Sequence, residues 1–128
     1  MATRKHDTYS EANYTVRREH CTPPTTAGAT TEGAKFRQFQ KFKLKAVHAY
    51  VVTAGTATTH GYDVYRGTTS VGTIALSTST AGSSASSATL NLDVASMQQI
   101  SVKSLADATG VAQIVYEYET QSDAAQTV

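Results

Sequence analysis

Phe42-Lys-Leu-Lys-Ala-Val-His-Ala-Tyr-Val-Val-Thr53 is the stretch on which the fold turns. Phe42, Leu44, Ala46, His48, Tyr50 and Val52 fall on alternate positions, with Lys43, Lys45, Val47, Ala49 and Val51 between them. A repeat of two marks an extended strand, whose successive side chains point to opposite faces. Lysines at its start and apolar residues on both tracks further along predict a strand with one polar face at first and both faces covered later. On this reading His48 shares a half-buried face with Leu44 and Tyr50.

Downstream the same grammar repeats. Thr53-Ala-Gly-Thr-Ala-Thr-Thr59 reads as a loop, and Tyr62, Val64 and Arg66 then alternate with Asp63 and Tyr65. Gly67, Thr68 and Thr69 form a turn and the chain returns through Val71 to Ser77, a hairpin. Ser77 to Ser87 is almost all Ser, Thr and Ala around Gly82 and reads as a long loop. Ala88, Leu90, Leu92 and Val94 predict a half-buried strand, Ala95-Ser-Met-Gln98 a corner, and Ile100 with Val102 the next strand. After a turn at Asp107-Ala-Thr-Gly110, the last strand puts Ala112, Ile114, Tyr116 and Tyr118 on one face. Gln113, Val115, Glu117 and Glu119 take the other. Six or seven strands with no helix long enough for a crossover predict an all-β protein, an antiparallel β-sandwich.

Residues 36–120 are therefore expected to form the sandwich and residues 121–128 a flexible tail. Residues 1–35 show neither periodicity, and Pro23-Pro24 favours extended backbone. They read as an arm, largely disordered in isolation. The chain up to Lys45 is basic, nine Lys and Arg against four acids, and beyond it two face six, so the arm side reads as basic and the body as acidic. An acidic body repels phosphates, so nucleic acid is not an expected partner.

A chain of 128 residues suffices for one domain with its own core. Only 16% of residues are charged, Trp is absent, and Ser and Thr abound. Thr fits a pleated surface better than a helix. Thin packing leaves room for stabilisation by association. The single Cys21 supplies neither an internal disulfide nor a metal-ligand pair. The polar first ten residues predict no signal peptide, and no run approaches the ~20 apolar residues of a membrane span. Synthesis in a cytoplasm is expected.

Residues that carry chemistry do not converge on this reading. His6 and His20 fall in the arm, and His60 and Asp63 are spaced to opposite faces. Asp93, Asp107, Glu117 and Glu119 read as turn or solvated-face residues. Ser83, Ser84, Ser86 and Ser87 fall in the predicted loop, outside any nucleophile elbow. The glycines match no phosphate-loop spacing. Neither enzyme, metal nor cofactor is expected. The tyrosines fall on strands, where packing is the ordinary role.

The run 42–53, followed by Gly61-Tyr-Asp-Val-Tyr-Arg-Gly-Thr-Thr-Ser-Val71 and closing on Val115-Tyr-Glu-Tyr-Glu119, resembles the small jelly-roll structural proteins of tailed bacteriophages. The likeness covers roughly residues 42–119 and rests on pattern. It implies a non-enzymatic virion protein on the capsid exterior, made in the host cytoplasm. Capsid decoration (cement) proteins are the preferred kind, with tail, neck and fibre components in the same group. The implied partners are the major capsid protein or another virion protein, and identical copies in a dimer or trimer. The arm would dock, with Arg4, Lys5, Arg17, Arg18, Lys35 and Arg37 against acidic groups and Tyr9 and Tyr14 beside them. The competing class is a carbohydrate-binding β-sandwich module, which the lack of Trp and of a signal peptide disfavours.

Overall fold

The computed structural model describes residues 15–26, 32–105 and 110–121. These form strands and no helix: β1 Thr15–Cys21, β2 Thr25–Thr26, β3 Glu32–Phe36, β4 Phe42–Thr53, β5 Gly61–Arg66, β6 Thr69–Ala75, β7 Ser84–Ser86, β8 Leu92–Val94, β9 Ile100–Ser104 and β10 Val111–Gln121. One sheet runs β1-β10-β4, with β7 and β8 along the far edge of β4 and β2 beside β10. The other runs β3-β9-β5-β6. All pairings are antiparallel. The pairs β1–β10, β3–β9, β4–β7/β8 and β5–β6 alternate between the sheets. An antiparallel ribbon rolled up in this way is a jelly roll.

The core lies between the inner faces. Ala112, Ile114, Tyr116 and Tyr118 of β10 are buried as their alternation predicts. They meet Tyr62 and Val64 from β5 and Ile100 and Val102 from β9. Fully burying a side chain such as Leu44, Val51 or Ile114 contributes about 1.5–3 kcal/mol. The hairpin closes on Gly67 and Thr68, and Gly67 takes a φ of 64°, where a Cβ is disfavoured.

In β4 the alternation is real but changes track. Phe42 and Leu44 face the core, and so do Val47, Ala49 and Val51. A register shift between Glu117 and Tyr118 of β10 takes up the extra residue of β4, so odd positions replace even ones. His48 consequently points outward with Tyr50, not inward with Leu44. Tyr50 and Val52 are exposed, so the end of β4 is covered on one face only.

The predicted arm boundary needs correction. Residues 15–21 form β1, paired with β10 over seven consecutive residues, and residues 32–36 form β3 beside β9. Phe36 is an aromatic hub, 4.2 Å from the His20 ring, 5.6 Å from Phe42, 5.4 Å from Tyr118 and 5.9 Å from Tyr116. The Tyr116 hydroxyl donates to the Ala34 carbonyl at 2.7 Å, and that of Tyr62 to the Thr25 carbonyl at 3.0 Å. The sandwich thus begins by Thr15. An edge strand needs few apolar residues, and charges on it guard the open edge, so Arg17-Arg18-Glu19 hid a strand. Of the arm, residues 1–14 and 27–31 lie outside the described residues, as do residues 122–128 of the tail.

Two smaller differences concern the Ser-rich stretch. Ser84–Ser86 is not loop but strand β7 on β4. Of the strand predicted from Ala88, only Leu92–Val94 pairs regularly. Asn91 has a φ of 48°, which breaks the extended run before it. The predicted turn at Asp107 lies outside the described residues.

Candidate functional site

The strand registers gather one set of loops at one end. In the first sheet, Thr15 stands opposite Gln121, Thr120 opposite Phe42, and Phe42 opposite Val94. In the second, Phe36 and Arg66 both stand opposite Ile100. The 37–41 and 95–99 loops, the hairpin at Gly67 and the entry to β1 therefore share that end.

Two large apolar side chains protrude there: Phe39 is 82% exposed and Met97 44%. The Met97 backbone is tied down. The Met97 N–H donates to the Gln38 carbonyl at 2.8 Å, and Arg37 donates to the Met97 carbonyl at 3.0 Å and to Gln99 Oε1 at 2.8 Å. Gly67 N–H donates to the Gln99 carbonyl at 2.8 Å, tying the hairpin to the same brace. Met97 has a φ of 63°, a conformation that costs a side-chain-bearing residue about 1–3 kcal/mol. Arg37, Lys41, Lys43 and Arg66 belong to the same end, as do the acids Asp93, Glu119 opposite Lys43, and Glu32, which accepts from Gln99 at 2.6 Å. Lys43 Nζ lies 3.4 Å from Asp93, and Arg66 donates to the Asp93 carbonyl at 2.9 Å. An open cleft of about 500 Å³ adjoins them, lined by Lys41, Lys43, Asp93, Val94, Ala95 and Gln98.

A second polar constellation crosses the outer face of the β1-β10-β4 sheet. Ser86 Oγ lies 2.6 Å from His48 Nδ1, and His48 Nε2 lies 2.9 Å from Glu117. Arg17 makes an ion pair with the other Glu117 oxygen. The hydrogen bond from His48, aided by Arg17, holds the Glu117 carboxyl below its ordinary range. Against an ionised Glu117, Nε2–H donates to the carboxylate, and in a neutral ring Nδ1 would then accept from Ser86. The chain links β7, β4, β10 and β1 across their exposed faces. Lys45 and Glu119 add a pair at 3.6 Å.

At the far end His60 is buried, 2% exposed, and neither ring nitrogen has a hydrogen-bond partner among the described residues. It sits between two glycines: a Cβ on Gly55 would stand 2.8 Å from its ring and one on Gly110 2.7 Å. Its edge meets the Tyr62 ring at 5.7 Å, and burial lowers its pKa.

The residues expected to dock are scattered. Arg17 is committed to Glu117, Lys35 stands 4.0 Å from Glu32, and Arg37 braces Met97 and Gln99. Arg18 is exposed on β1, opposite Tyr118. Arg4, Lys5, Tyr9 and Tyr14 lie outside the described residues. Phe39, Met97 and the Ser86–His48–Glu117 chain escaped sequence reasoning. Phe39 is a lone aromatic in a polar loop, and the chain joins residues 38 and 69 positions apart. No protein-family model and no curated protein sequence matches the chain.

Proposed function

We propose that this chain is a non-enzymatic virion structural protein that binds and stabilises a phage capsid from outside, a decoration (cement) protein. The observation that carries the reading is the braced end of the sandwich. Phe39 and Met97 protrude at the end that also carries Arg37, Lys41, Lys43 and Arg66, and the Met97 backbone is tied to Gln38 and Arg37. An exposed aromatic anchor suits an apolar pocket on a partner, and the cations suit an acidic rim around it. Residues 1–14 lead into β1 at this same end, so an arm would start beside the docking face. Jelly rolls serve capsid proteins, lectins and cupins alike, so the architecture agrees with the reading without selecting it.

The test is co-sedimentation with purified capsids that lack the protein. The full chain should pellet with them, and Phe39→Ser/Met97→Ser should not, at an unchanged melting temperature. Equal binding by both would overturn the docking end. A melting-temperature rise with soluble sugars, and no capsid binding, would favour the carbohydrate module instead.

One observation favours a second reading. Ser86, His48 and Glu117 have the nucleophile–base–acid order of a hydrolase triad. Catalysis also needs donors aimed at an oxyanion and a pocket for the substrate. Ser86 is exposed on a three-residue strand, and two clefts among the described residues lie elsewhere, one at the loop end and one lined by His20, Pro23, Pro24 and Lys35. Hydrolysis of an activated ester by the full chain, lost in Ser86→Ala, would establish this reading over the first.

A further inference from the structure

We infer that the open edge of β1 pairs, antiparallel and about a two-fold axis at Arg18, with β1 of a second copy of this chain. The inference stands apart from the capsid reading.

Among the described residues, each sheet ends in a strand whose outer edge has no strand beside it. Most of these edges are interrupted. β6 carries a register shift opposite Val64 and Tyr65. β3 has one between Gly33 and Phe36, with Ala34 at a φ of 54°. β7 and β8 are three residues each. β1 alone runs without a break, seven residues in register on β10. A straight edge of that length offers a row of free N–H and C=O groups to another strand.

The charges on β1 select the occupant. Glu19 stands directly opposite Glu117, and like charges so placed destabilise a sheet. The nearby Arg17 is engaged by Glu117, and Glu19 has no ion pair among the described residues. A second β1 centred on Arg18 sets Arg17 of one copy opposite Glu19 of the other, and the reverse, on the outer face. Each Glu19 then shares the other copy's Arg17 with that copy's Glu117, and the row of alternating charges runs across both copies. The pairing is isologous and closes as a dimer. Its one repulsive contact is Arg18 against Arg18. The same two-fold sends the Phe39 ends to opposite poles, so the dimer describes the free protein and one copy of a pair faces a surface at a time.

Sedimentation velocity of the full chain across a concentration series, in reducing buffer, tests it. A reversible dimer is expected, weakened by salt. Glu19→Arg should give a monomer with a melting temperature at least as high, since Arg at 19 opposes Glu117 within the chain and Arg17 of the other copy. Arg17→Glu should also give a monomer. The double swap Arg17→Glu/Glu19→Arg should restore the dimer, and Arg18→Thr should tighten it. A wild-type monomer at every concentration overturns the inference, as does a dimer indifferent to Glu19→Arg. A dimer that disappears on reduction of Cys21 overturns it too, because this register places Cys21 opposite Thr15.

Discussion

His60 shows how a single buried ring can set a response to acid. Its charged form is disfavoured by burial, so the folded state takes up a proton less readily than the unfolded chain. A lowered folded pKa means that His60 contributes fully above the unfolded value of about 6.5. That contribution is lost as the pH falls from there toward the folded pKa. Denaturant melts from neutral to mildly acidic pH should show this decline, and His60→Gln should flatten it. Glu117 acts in the same direction at lower pH, because its contribution is lost only as the pH falls through its own depressed value. An unchanged slope in His60→Gln would show that other groups carry the acid response. The glycines beside the ring give a second check. Gly110→Ala places a methyl 2.7 Å from Nε2 of His60 and 3.0 Å from the Thr53 carbonyl, inside a packed end. Overpacking of this kind costs about 1–3 kcal/mol, read from the urea midpoint at constant m-value.

At the scale of strands, the inner tyrosines join what the sequence separates. Tyr116→Phe keeps the ring but leaves the buried Ala34 carbonyl without its donor, a loss of about 1–3 kcal/mol by chemical denaturation. A truncation starting at Lys35 removes β1, β2 and most of β3, stripping the β10 edge and half the partners of β9. That protein should fail to unfold cooperatively, whereas one starting at Thr15 should melt close to the full chain. Equal melting of both would mean that β1 and β3 add nothing to the core. The legible strands β4, β5, β9 and β10 lie centrally, where burial forces apolar residues onto alternate positions, and the edge strand β6 was legible through its hairpin turn to β5. β1 and β3 were illegible because an edge strand is half solvated and carries Arg17, Arg18 and Glu19 where a central strand carries Val. The track change in β4 was illegible for another reason. The extra residue is accommodated against β10, and nothing local to Lys45 announces it.

For the whole molecule, the all-β sandwich was legible because tracks of period two recur along the chain, while the candidate site lay in the gaps between them. Arg37-Gln-Phe-Gln-Lys41 and Ala95-Ser-Met-Gln98 have no periodicity, and only the roll of the sheets brings them to one end. The proposed docking combines one force that salt weakens with one that it leaves unchanged, and this separates them. Each exposed ion pair made by the cations at this end adds at most about 1 kcal/mol. The screening length falls from ~10 Å at 0.1 M to ~3 Å at 1 M, so their contribution should fade over that range. Burying Phe39 contributes about 1.5–3 kcal/mol and does not fade with salt. Wild-type capsid binding should therefore weaken with salt to a residual level. Phe39→Ser should lower affinity roughly 10–100-fold at every salt concentration, since about 1.4 kcal/mol is tenfold. Lys41→Glu should instead bind more weakly at low salt and converge on wild type at high salt. Titrations of the three proteins against capsids at both ionic strengths supply the measurement. If Phe39→Ser converges with wild type at high salt, the aromatic is not the anchor and the end of the sandwich docks by charge alone.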